Sequence, residues 1–185
     1  ILTEIPGVSA VRRGASATEP VIRGLGWERV STQVDGLPLH GACPARMDPP
    51  ITYVQAYAPE DVTIIKGLAS VTHGPAGPGG RVMIDTDYER SPEDPAELGG
   101  WVRVGGESNR EGMTGEVGLI GGNEYIDIKA TLEALDYSDY ETGDGTTVPA
   151  NQEGYSGALS LGVRPTEDHR WSNYLSYVRE ENIDY

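Results

Sequence analysis

Residues 40–50 read HGACPARMDPP and carry Cys43, the single cysteine of the sequence, four residues before Met47, one of its three methionines. Thiolate and thioether are soft donors, and as a pair they favour Cu(I) over hard cations. A zinc site would draw on Cys and His without Met. Pro44 suits the first position of a helical turn with Cys43 as its cap, and Asp48-Pro49-Pro50 stops any helix soon after. One turn over 43–47 would set both sulfurs on the same face, within reach of a single ion. The opposing reading is that a thiol and a thioether are ordinary packing residues with nothing in common. His40, three residues before the cysteine, is either a further donor or part of the loop lining.

The surrounding chain decides between these readings. With 29 acidic against 14 basic residues and a net charge of -15, it lacks the basic surface that binding to nucleic acid requires. Only 37% of residues are hydrophobic, Phe is absent and Gly reaches 25 of 185, a composition that in an unpatterned sequence would suggest disorder. Here the apolar residues are strongly patterned, which indicates an ordered, turn-rich β protein. A lone cysteine forms no internal disulfide, so in an oxidising compartment it is either buried or functional. No run of about 18 apolar residues predicts a transmembrane helix, and no signal peptide is visible. Neither a Gly-x-Ser-x-Gly elbow nor a His-Glu-x-x-His motif occurs, which argues against an enzyme.

The chain has two halves with different patterns. Residues 1–87 are compact and mixed. ILTEIPGVSAV suggests a turn or short helix entering a strand, and PVIRGL and RVSTQVDGLPL read as strands, the second closing on an Asp35-Gly36 turn. ITYVQAYAPEDVTIIKG predicts a helical turn at 51–57 and a strand at 62–66, and RVMIDTD a strand with Val82 and Ile84 on one face. Residues 88–97 (YERSPEDPAE) are acidic with two prolines and read as a linker. In 98–185 long alternating strands take over. Ile126, Ile128, Ala130, Leu132 and Ala134 share one face, as do Tyr155, Gly157, Leu159, Leu161 and Val163. Stretches 101–107 and 113–121 alternate more weakly, and 171–180 faces ambiguously. Connections at 109–112, 121–123 and 165–168 are short, while 138–154 is long and polar. Such a pattern suits an outer-membrane barrel and equally a soluble β-sandwich.

IPGV (5–8), IRGL (22–25), VDGLP (34–38) and above all VTIIKGLASVTHGPAGPGGRVMIDT (62–86) resemble the plug domain of TonB-dependent outer-membrane receptors, in order and spacing. The resemblance covers residues 1–87 and continues into the first barrel strands. It implies a mixed α/β plug domain followed by the first antiparallel strands of a transmembrane β-barrel of about 22 strands in all. It also implies outer-membrane lipid around the strands and the TonB energising complex as partner. Residues 98–185 suffice for about five strands, and five cannot close. The remaining strands are therefore expected beyond Tyr185, and the TonB box before Ile1. GPAGPGG lacks the Gly-Lys-Ser/Thr ending of a phosphate loop. Arg23 and Arg81 are expected to face acidic partners, and His73 to pack.

Within that family, GACPARMDPP resembles the plug loop of the outer-membrane copper receptors, where a Cys-x-x-x-Met pair binds copper. Carried over by position, Cys43 and Met47 would be the metal ligands and copper, as Cu(I) when bound, the substrate. The subfamily adds a His-x-Met pair from the barrel; this sequence contains none, so half of the coordination sphere is expected elsewhere. Two other functions compete: a receptor for a siderophore or other metal chelate, and an outer-membrane binding protein without transport.

Overall fold

The computed structural model describes residues 5–13, 18–45, 47–54, 60–68, 70–74 and 77–181. They divide into two compact units, Ile1–Val54 with Pro59–Thr86, and Gln55–Ala58 with Asp87–Tyr185.

In the first unit β1 (Val8–Arg12) and β2 (Thr18–Ile22) form an antiparallel ribbon. Strands β3 (Val30–Val34), β4 (Leu37–Leu39), β5 (Asp61–Lys66) and β6 (Gly80–Asp85) make a sheet of order β4-β3-β6-β5. Its central pair, β3 and β6, is parallel. Val82 and Ile84 alternate inward as the pattern predicts, and with Val8, Ile22 and Val30 they form the buried core. That core is small, so hydrogen-bonded polar groups carry much of the packing. Asp35 and Gly36 both have positive φ (49° and 78°), giving the tight turn between β3 and β4. The Asp35 carboxylate also accepts from the Thr86 amide at 2.8 Å and the Thr86 hydroxyl at 2.6 Å, tying the turn to the end of β6. Gly80 explains part of the glycine-rich crossing: a Cβ there would lie 2.1 Å from the Ile65 carbonyl oxygen.

One expectation for this unit, the packing of His73, needs correction. Arg81 is fully buried, and its guanidinium donates to the carbonyl oxygens of His73 and of Gly74 (2.7 Å for the latter). Through these two carbonyls Arg81 braces the glycine-rich crossing. The His73 side chain is exposed and does not pack; its contribution runs through its backbone oxygen, shared by Arg81 and Gln33. Helical structure among the described residues is limited to three 3-10 turns, Trp27–Arg29, Pro50–Tyr53 and Val71–His73. Of the helical turn expected at 51–57, residues 55–57 lie outside the described set.

The second unit is a meander of β7 (Glu97–Glu107), β8 (Gly112–Gly122), β9 (Ile126–Tyr137), β12 (Gln152–Thr166) and β13 (His169–Glu181). A small ribbon, β10 (Tyr140–Glu141) with β11 (Thr147–Val148), sits in the long connection. Neighbouring strands of the five-stranded sheet pair antiparallel throughout. The register lines up Val117, Leu132, Gly157 and Tyr177 on one face, and beside them Leu119, Ala130, Leu159 and Leu175.

Burial on the two faces is the reverse of a soluble sheet. Leu132 is 63% exposed, Leu175 63% and Tyr155 51%, whereas Glu116, Asp127, Lys129, Thr131, Ser160 and Arg164 on the opposite face are at most 8% exposed. A sandwich would put the leucines in its core. An exposed apolar band around a polar interior is the arrangement of a membrane barrel wall.

The inner face holds a network of charges. Asp127, fully buried, pairs with Arg164 at 2.9 Å and Arg170 at 3.2 Å. The two arginines continue to the segment that precedes β7: Arg170 to Asp87 and, at 3.1 Å, to the Tyr88 carbonyl, and Arg164 to the Arg90 carbonyl. The Tyr88 amide donates to Ser160 Oγ at 3.2 Å. Higher on the same face, Glu116 accepts from Trp101 Nε1 at 2.6 Å and from Arg103 at 2.9 Å.

Candidate metal site

Cys43 and Met47 lie on the loop between β4 and the 3-10 turn Pro50–Tyr53. Among the described residues of 43–47 the expected helical turn does not form. Pro44 and Ala45 lie in a turn instead, and the helical geometry starts only at Pro50. The reason is the Asp48 side chain. Its carboxylate accepts the amide of Ala42 at 2.8 Å and the amide of Cys43 at 3.0 Å to each oxygen. Short acidic side chains that bond nearby backbone in this way offer the chain an alternative to the helix. Asp48 and Pro49 each precede a proline, which further disfavours helical geometry there.

The same carboxylate accepts the Tyr53 hydroxyl from the far side of the loop. That bond, with the two backbone amides, holds the Asp48 carboxyl below the usual carboxylate range and pushes the Tyr53 hydroxyl above its ordinary value. Asp48 is only half-buried, so screening by water keeps each hydrogen bond near roughly 1 kcal/mol. Closure is tight: a Cβ at Gly41 would come within 2.6 Å of the Asp48 carbonyl oxygen.

Beside the loop is a cleft of about 430 Å³, lined among others by Trp27, Leu39, His40, Cys43, Asp48 and Pro49. The Cys43 thiol is free and half-buried. Met47 is 42% exposed and does not line the cleft. His40 is exposed and borders the same cleft as Cys43. The structure thus gathers His40, Cys43 and Asp48 at one rim, with the thioether on the loop surface. Among the described residues, no group of three or more His, Cys, Asp or Glu side chains is arranged to hold a metal ion.

The acidic connection 138–154 serves its own loop. Asp139 Oδ1 accepts from the Ala150 and Asn151 amides at 3.0 and 3.1 Å, and Asp144 Oδ1 accepts the Thr142 hydroxyl and the Thr146 amide. Asp48 and Tyr53 were not singled out by sequence reasoning. The available signal was an acidic residue just after Gly-Ala-Cys-Pro and ahead of two prolines, read there only as a helix stop.

Residues 1–81 match the protein family described as TonB-dependent Receptor Plug Domain. Among solved structures, the copper transporter OprC superposes with a TM-score of 0.81 and 30% identity, over 97% of this chain and 27% of that one. The FrpB iron transporter from Neisseria meningitidis follows with TM-score 0.73 and 16% identity, over 97% of this chain and 29% of that one. The siderophore receptor PirA from Acinetobacter baumannii gives 0.63 and 18%, over 95% and 28%. At such identities the last two establish the fold alone. No curated protein sequence matches significantly. The chain spans 27–29% of the length of these three structures.

Proposed function

Because the chain belongs to the TonB-dependent receptors of the bacterial outer membrane, with residues 1–81 as their plug domain, we propose that it takes part in importing copper bound at Cys43 and Met47. The two sulfurs supply a soft, Cu(I)-selective pair. Further ligands come from barrel loops, and energy for release comes from the TonB complex acting on the plug. No covalent bond is made or broken in the cargo.

One observation carries the reading. The only thiol of the sequence sits half-buried at the rim of a cleft, on a loop closed by its own hydrogen bonds, with a thioether four residues on. The 30% identity to a copper transporter across nearly the whole chain supports it, whereas the iron and siderophore receptors share only 16–18%.

The test is uptake by cells that carry the full-length receptor, or its Cys43→Ala/Met47→Ala variant, under copper limitation. Copper accumulation should fall to the level of cells lacking the receptor. Unchanged copper accumulation in the variant overturns the assignment. Copper accumulation unchanged in cells lacking the receptor, with ferric-chelate uptake lost there, would support the siderophore reading.

A further inference from the structure

We infer that Asp48 is the positioning residue of this site: its carboxylate closes the loop and fixes the backbone of Cys43, which bears the thiol, before the metal arrives. The inference rests on the copper reading above. Asp48 accepts the Ala42 and Cys43 amides on one side and the Tyr53 hydroxyl on the other, using both carboxylate oxygens. It therefore fixes the backbone of the residue that bears the thiol.

The segment beyond is itself ordered. The Thr52 amide and hydroxyl both donate to the Pro49 carbonyl, at 2.9 and 2.7 Å, which starts the 3-10 turn that brings Tyr53 round. Close approach of the Asp48 backbone to Gly41 leaves no room for a side chain there. Ordering of the ligand-bearing loop thus occurs on folding and is not charged against binding, which is the gain from preorganisation. Carboxylate oxygens are hard donors and poor ligands for Cu(I). These oxygens are, moreover, already taken by amide and hydroxyl donors. Asp48 acts through Cys43, without touching the ion.

The experiment uses the full-length receptor in detergent, as wild type, Asp48→Ala and Asp48→Asn. Cu(I) affinity is measured by competition with a chromophoric chelator. The alkylation rate of the metal-free Cys43 thiol is followed on its peptide by mass spectrometry. Asp48→Ala should weaken Cu(I) affinity about tenfold, leave the copper stoichiometry at saturation unchanged, and raise the alkylation rate. Asp48→Asn keeps one acceptor oxygen and should fall between, which preserves the test if the alanine variant fails to assemble. Wild-type affinity in the variants overturns the positioning role while the copper site stands. Weaker affinity with an unchanged alkylation rate also overturns it, because Asp48 would then act at the metal and not on the loop. No Cu(I) binding by the wild-type receptor overturns the copper reading itself, and the inference with it.

Discussion

Asp127 and Asp48 are both carboxylates that gather several donors, yet they hold different kinds of structure. Asp127 is fully buried between Arg164 and Arg170, and those arginines grip residues 87, 88 and 90. Asp48 is half-buried and takes neutral donors from a loop of ten or so residues. Burying charge costs several kcal/mol per ion, so a network like that of Asp127 is tolerable only when every member stays paired. Hydrogen bonds screened by water can open and re-form locally without disturbing the rest. The difference teaches how the two regions divide their roles. The inner wall fastens the segment ahead of β7 through buried ion pairs, while the cleft loop is held by water-screened hydrogen bonds that can open locally.

Breaking the stronger member should have the largest effect. Asp127→Ala leaves two arginines partly uncompensated and should destabilise the second unit by about 3–5 kcal/mol, read as a drop in the unfolding midpoint of the refolded receptor. Asp127→Asn, which keeps shape and hydrogen-bonding capacity, should cost less. A loss below about 1 kcal/mol would put Asp127 on the same footing as Asp48 and erase the contrast.

The next effect tests which way the wall faces. Leu132→Arg on the exposed apolar band should cost about 2–4 kcal/mol in a lipid bilayer, measured by reversible unfolding from vesicles. Were that band bathed in water, the same change would stay within about 0.5 kcal/mol.

Smaller again is Tyr53→Phe, which removes one donor from Asp48 and should cost under about 1 kcal/mol. Faster hydrogen exchange at the Ala42 and Cys43 amides, with the five-stranded sheet unaffected, is the expected signature. Exchange that spreads into the sheet would show that the loop is not independently adjustable.

The smallest effect is a pH response of the β10–β11 connection. The Thr142 hydroxyl, followed by the Thr146 groups, holds the Asp144 carboxyl below the usual carboxylate range. A depressed carboxyl contributes order above its unfolded value, about 3.9, and loses it as pH falls through the folded value. The Thr146 amide resonance should therefore hold steady from neutral pH downward and shift only in strong acid, with no change in global stability. A shift near neutral pH would contradict this account of Asp144.

Much of the wall was legible in the sequence, because period-two alternation in 126–134 and 155–163 needs no tertiary information to read. Which face meets lipid was not: alternation is the same in a sandwich, and only the inverted burial of Leu132 against Asp127 separates them. Partners of the wall charges were equally hidden. Asp127 and Arg164 are 37 residues apart and meet only through the pairing of β9 with β12. The cleft loop was misread in its geometry. Pro44 favours a helical turn locally, but three donors converging on the Asp48 carboxylate outweigh that preference. The bonds from Arg81 to the carbonyls of His73 and Gly74 were equally hidden, because backbone carbonyls leave no mark in a sequence.

The central claim is that Cys43 and Met47 hold copper, and X-ray absorption at the copper edge tests it most directly. The copper-loaded full-length receptor should show sulfur scatterers in the first coordination shell, reduced by the Cys43→Ala/Met47→Ala substitution. A first shell of nitrogen and oxygen alone, or a sulfur contribution undiminished by the double substitution, would contradict the claim.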